Sequence, residues 1–152
     1  MLRWWTALGA MLVIGAGCAT HLEQPALSGA VMTPNNLTPG DAALITVVVD
    51  DKFNIVDRIE GKVLEDTTIQ FKFRDDGTKG DVVGGDSVWT TKVEAPFNAP
   101  PGDFTFEISA YDSDNNLIVV TDENKEAAPL STTIALVITF PDTVIDDEAS
   151  IQ

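Results

Sequence analysis

Apolar and polar residues alternate in short runs along most of this chain, and clusters of Pro, Gly, Asn and Asp break the runs. In "TIQFKF", Ile69, Phe71 and Phe73 point one way, and Thr68, Gln70 and Lys72 the other. In "DFTFEISAY", Phe104, Phe106, Ile108 and Ala110 share one side. A period of two puts all the apolar groups on one face of a strand but scatters them around a helix. No stretch carries convincing helical periodicity, so the chain is read as all-β.

The remaining strands follow from the same pattern. Residues 42–49, "AALITVVV", are so rich in Val and Ile that they predict a central strand. A first short strand is expected at 29–33, closed by the Pro34-Asn35-Asn36 turn, and a third begins near Ile55. "SVWTTKVE" sets Trp89, Thr91 and Val93 on one face. "LIVV" and "STTIALVITF" close the domain, separated by a polar insert at 121–129. Seven or eight such strands in roughly 110 residues fit an antiparallel immunoglobulin-like β-sandwich.

That domain does not begin at residue 1. One basic residue, Arg3, precedes an uncharged apolar stretch that ends in Gly15-Ala16-Gly17, directly before Cys18. This is the layout of a secretory signal peptide, and it is shorter than the about 20 apolar residues of a spanning helix. Gly15-Ala16-Gly17-Cys18 resembles the lipobox of bacterial lipoproteins, with Gly15 where Leu is common. The resemblance implies that Cys18 is lipidated and that the chain is membrane-anchored, with Ala19 implying the outer membrane. An ordinary signal peptide cleaved near Ala19 is the alternative. The expected organisation is a signal peptide at 1–17, lipidated Cys18 and a tether to 28, a sandwich at 29–140 and an acidic tail at 141–152.

The segments of the sandwich resemble bacterial Ig-like domains of extracellular and surface proteins. The matching pieces are Thr38-Pro39-Gly40-Asp41, the 75–86 loop followed by Trp89, and the 101–112 segment. Ser87 departs from the pattern, which often has Gly there, and so does the 121–129 insert. The resemblance implies fold and location and no catalytic activity, since such domains serve as spacers, adhesive modules and accessory domains.

The 75–86 loop concentrates like charge. Asp75, Asp76, Asp81 and Asp86 stand among Gly77, Gly80, Gly84 and Gly85. Calcium takes six to eight oxygen ligands from a loop able to curl around it, which this stretch offers without the EF-hand spacing. Asp-Gly pairs also make turns, with each carboxylate bonding its own backbone. Strand alternation brings the 50–54 and 112–116 connections to the same pole. Asp50, Asp51, Asp112 and Asp114, with Asn115 and Asn116, are therefore possible further contributors. Like charges about 4 Å apart cost about 1 kcal/mol in water and about 4 at an effective dielectric of 20. A shared structural calcium ion is expected on that ground.

Other chemistry is poorly supplied. Asp and Glu number 24 against nine Lys and Arg, a formal charge of −15, which argues against nucleic acid as a partner. His21 is the only histidine and Cys18 the only cysteine, so neither a zinc site nor a nucleophile–histidine pair can be assembled. No nucleotide site is expected either. Two-carboxylate glycoside hydrolysis needs a cleft, and these acids lie on open loops. Trp89, Phe97 and Tyr111 are candidates for a sugar-stacking face, although the parity of Trp89 points it to the core. The chain reads as a non-enzymatic cell-envelope module whose partner is the membrane through its lipid, plus an envelope protein or a glycan. A carbohydrate-binding module and an accessory subunit of an envelope complex are the alternatives.

Overall fold

The computed structural model describes residues 23–140; the signal segment, Cys18, His21 and the 141–152 tail lie outside the described residues. Every regular element among them is a strand. These are β1 Ala26–Thr33, β2 Asn36–Leu37, β3 Ala42–Asp50, β4 Arg58–Val63 and β5 Gln70–Lys72. β6 Val88–Glu94, β7 Gly102–Tyr111, β8 Val119–Thr121, β9 Ala127–Pro129 and β10 Ser131–Ile138 follow. One sheet has the order β1-β3-β6, a second the order β2-β10-β7-β4-β5, and β8-β9 is a separate hairpin. Neighbours are antiparallel except β2, which runs parallel to β10.

The alternation read from the sequence is what builds the core. On β3, central in its sheet, Ala43, Ile45, Val47 and Val49 are buried and the residues between them are not. Ile59 and Val63 of β4, Phe106, Ile108 and Ala110 of β7, and Leu136 and Ile138 of β10 belong to the same core. Ile45, Val47, Ile59 and Ile108 are fully buried, each contributing roughly 1.5–3 kcal/mol of transfer free energy. Both sheets thus bury their inner faces in one shared core.

Several details differ from the sequence reading, among them the expected third strand, here β4, which begins at Arg58 and leaves Ile55 exposed. β1 starts at Ala26, inside the expected tether, because Ala26, Leu27 and Ser28 pair with Asp50, Val49 and Val48. The register then shifts between Ser28 and Val31, where Gly29 takes a φ of 58°. Asn36, expected to end a turn, forms β2 with Leu37 beside Val137 and Ile138. The 121–129 insert is the β8-β9 hairpin, turned by Asp122, whose Oδ1 accepts from the amides of Asn124 and Glu126.

Hydrogen bonds show which connections share a pole. Val49 N–H donates to the Ser87 carbonyl at 2.9 Å, and Asp57 N–H to the Tyr111 carbonyl at 2.9 Å. Arg58 also reaches Asn115. The β3–β4, β5–β6 and β7–β8 connections therefore gather at one acidic pole, as the strand alternation implied. The two long edges between the sheets differ as well. β1 lies along β10, whereas β5 and β6 are linked by a bridge between Arg74 and Thr90.

Candidate metal centre

The acidic loop leaves β5 through Arg74, whose N–H and C=O both bond Thr90 at 2.8 Å, so its base is fixed across the two sheets. It then folds back on itself with backbone against backbone. A Cβ placed on Gly84 would lie 2.8 Å from the Asp76 carbonyl carbon and 3.0 Å from Gly77 N. Gly77, Lys79, Gly80, Gly85 and Ser87 all take positive φ, which makes the tight reversals possible.

The carboxylates hold this fold from inside. Asp75 Oδ1 accepts from the amides of Gly85 at 2.7 Å and Asp86 at 3.2 Å, and Oδ2 from that of Ser87 at 3.2 Å. Asp81 Oδ2 accepts from Gly77 N–H at 2.6 Å, and its residue is only 8% exposed. Asp86 Oδ1 accepts from Val88 N–H at 2.9 Å. These bonds are turn-forming, yet they also aim the three groups at one another. One carboxylate oxygen from each of Asp75, Asp81 and Asp86 lies within 4.8 Å of the other two. Oxygens bound to one calcium at 2.3–2.6 Å stand at most about 5 Å apart, so the triad meets that limit.

Asp76, the fourth expected ligand, turns elsewhere. Its Oδ1 accepts from Thr78 Oγ1 at 2.5 Å and Thr78 N–H at 3.0 Å, and Oδ2 pairs with Arg74 at 3.0 Å. The Thr78 hydroxyl, helped by Arg74, holds its carboxyl below the ordinary carboxylate range although partial desolvation opposes this. The proposed contributors from neighbouring loops share the pole but are not in the triad. Asp50 is exposed at the end of β3, and Asp114 is exposed on its turn. Asp112 closes its own turn, accepting from the amides of Asp114 and Asn116 and from the Asn116 side chain. The Asn116 amide is the main cause of its lowered pKa. Asp51 Oδ2 accepts from Val56 N–H at 2.7 Å, while its buried Oδ1 has no partner among the described residues. Nothing in the spacing of the sequence marks that orphan oxygen.

The aromatic candidates are dispersed. Trp89 is half-buried against the core from β6 of the smaller sheet. Tyr111 lies on β7 of the larger sheet under the Arg58 guanidinium, 4.6 Å from the ring centre. Phe97 is 88% exposed at the pole opposite the acidic loop, its ring over Gly40. The three do not form one stacking face.

Comparison with known proteins adds little to this geometry. No family model and no curated protein matches the chain. Solved structures that align with it include the endo-beta-1,4-mannanase from Thermotoga petrophila, at 9% identity and a TM-score of 0.49. An alkylpurine DNA glycosylase from Pseudomonas fluorescens, bound to DNA containing an abasic-site analogue, aligns at 10% identity and 0.46. A Niemann-Pick type C2 protein from the Japanese carpenter ant aligns at 11% and 0.43. These alignments cover 80%, 75% and 77% of this chain, and 21%, 30% and 94% of the three solved chains respectively. The chain spans less than a third of the mannanase and the glycosylase. Likeness this loose assigns neither activity nor ligand.

Proposed function

We propose that this chain is a lipid-anchored, non-enzymatic module of the bacterial cell envelope, an Ig-like β-sandwich whose acidic loop holds a structural calcium ion. The convergence of Asp75, Asp81 and Asp86 is the observation that carries the calcium reading. The three carboxylates supply part of the six to eight oxygens calcium requires, and loop carbonyls and water supply the rest. Bound there, the ion would offset the repulsion among three like charges and stiffen the link between β5 and β6.

Strand order supports the Ig-like reading. β1-β3-β6 corresponds to strands A-B-E, and β10-β7-β4-β5 to G-F-C-C′ of a variable-type sandwich. The anchor reading rests on Gly15-Ala16-Gly17-Cys18. Because Ala26 pairs with Asp50, the chain enters the sandwich at its acidic pole. Eight residues from Cys18 reach at most about 29 Å. On this reading the acidic pole is the end of the domain tethered to the bilayer.

Two experiments test the two halves separately. Isothermal titration of chelator-treated protein should give a single calcium site that Asp81→Ala abolishes, and a flat titration of the wild type would refute the ion. Palmitate-analogue labelling of cells should mark the wild type and not Cys18→Ala, and equal labelling of both would refute the anchor.

A further inference from the structure

At the pole away from the acidic loop the two sheets part around an apolar cavity of about 270 Å³. Val63 and Phe106 wall it from the larger sheet, with Leu136 and Ile138 of β10, and all four are buried. Phe71 and Val93 line it from β5 and β6, the edge where the sheets are linked by the Arg74–Thr90 bridge. The cavity opens to solvent at this pole and is walled on both sides by core residues. Water in its apolar depth finds few of the two to four polar partners it needs, so an apolar body gains by displacing it.

The polar residues among the lining are Asp66, Glu94 and Asn98, and the first two are acidic. Asp66 Oδ1 accepts from Thr68 N–H at 3.1 Å and Oγ1 at 2.6 Å, which fixes that carboxylate in place. Glu94 is paired with Lys92 at 3.0 Å, so Asp66 and the formal chain charge of −15 are what repel an anionic head group and favour a donor or a cation. Size limits the ligand too. An apolar cavity of about 150 Å³ holds one benzene, so this one takes a body of roughly ten to twelve non-hydrogen atoms.

We propose that the cavity between β5 and β6 binds a small apolar molecule, one or two fused rings or a short alkyl body, carrying a neutral donor or an amine and not a carboxylate. Ile69, 45% exposed at the cavity, gives such a body an apolar entry. The site is independent of the calcium loop and of the anchor, so neither reading stands or falls with it.

Three probes of equal ring size test the assignment: naphthylmethylamine, naphthylmethanol and naphthoate, titrated into the full chain carrying Cys18→Ala so that no acyl group of its own competes. The amine and the alcohol should bind one site, and naphthoate about tenfold more weakly, the effect of roughly one like-charge contact. Val93→Phe and Leu136→Phe, which fill the cavity from opposite sheets, should each abolish binding of all three. Asp66→Asn with Glu94→Gln, both at exposed positions and both keeping an acceptor oxygen, should bring naphthoate level with the alcohol. No binding of any probe to the wild type, undiminished binding to a folded cavity-filling variant, or naphthoate as tight as the amine would overturn the proposal. So would a concentration-dependent dimer whose formation the probes block, since the cavity would then belong to a second copy of the chain.

Discussion

The carboxylate of Asp81 accepts the backbone N–H of Gly77 at 2.6 Å while a carboxylate oxygen of the same residue lies within 4.8 Å of Asp75 and Asp86. It is the most buried of the three, so one residue serves as both loop fastener and candidate ligand. Asp81→Asn separates the roles, since an amide oxygen still accepts from Gly77 but brings no charge. In chelator the variant should be as stable as the wild type or more so, by about 1 kcal/mol of relieved repulsion. With calcium at about 100 times its dissociation constant the wild type should gain about 2.7 kcal/mol, and the variant much less. Thermal melts in chelator and in calcium decide this, and a large loss in chelator would mean that the bond to Gly77 needs the carboxylate charge and outweighs the repulsion.

Gly61 and Phe71 compete for one volume in the larger sheet. A Cβ on Gly61 would stand 2.1 Å from Phe71 Cε2, and the ring is held by Phe106 at 5.3 Å and Phe73 at 5.8 Å between centres. Gly61→Ala must therefore push an aromatic ring out of a packed site, at a cost of about 1–3 kcal/mol. Adding Phe71→Leu should recover part of that loss. Urea denaturation of the single and double variants checks it, and a single-variant change under about 0.5 kcal/mol would show that the ring relocates freely.

How much of this was legible depends on where the determining forces act. β3 and β7 announce themselves because each buries one whole face, and a buried face must be written in the sequence as alternation. β2 and β9 do not, because two or three residues held by neighbours about a hundred positions away in one case and six to ten in the other carry no period of their own. "TIQFKF" shows the middle case: Phe73 is buried and Phe71 partly so, but Ile69 is 45% exposed because the strand ends short of it. The pole that gathers the aspartates was visible from strand parity. Which of them converge was not, because Asp76 and Asp81 differ in the donors that capture them, Thr78 and Arg74 for one and the Gly77 amide for the other. The cavity left no pattern at all, since its walls are ordinary core residues of both sheets.

Ser87 carries a side chain at a φ of 68°, the position where the resemblance to Ig-like domains leads one to look for glycine. A left-handed conformation costs an L-residue about 1–2 kcal/mol, and glycine is free of that cost but loses more backbone entropy on folding. The difference leaves Ser87→Gly more stable by roughly 0.5–1 kcal/mol. Gly80→Ala should act the other way, because Gly80 has a φ of 106° and a Cβ there would meet Leu44 Cδ1 at 2.9 Å. Paired melts of the two variants should move in opposite directions. A fall in both would mean that the Ser87 side chain contributes a contact worth more than its strain.

The turn carboxylates should lose their stabilising contribution in acid, and the sign follows from their hydrogen bonds. The Thr38 hydroxyl holds Asp41 below the ordinary carboxylate range, the Thr68 hydroxyl does so for Asp66, and the Thr105 amide does so for Glu65. Asp76 and Asp112 are lowered as well. A group with a depressed folded pKa binds its proton more readily in the unfolded chain. Its stabilisation is therefore fully present above the unfolded value, about 4, and is lost as pH falls through the folded one. Neutralising a chain of formal charge −15 relieves self-repulsion and acts in the opposite direction, so the quantity to read is a difference between variants. Thr68→Val removes the hydroxyl that holds Asp66 and keeps the branched shape. Its urea midpoint should lie below that of the wild type at pH 6, and the gap should close as pH falls toward 3. A gap that stays constant across that range would show that Thr68 acts through packing and not through the carboxylate.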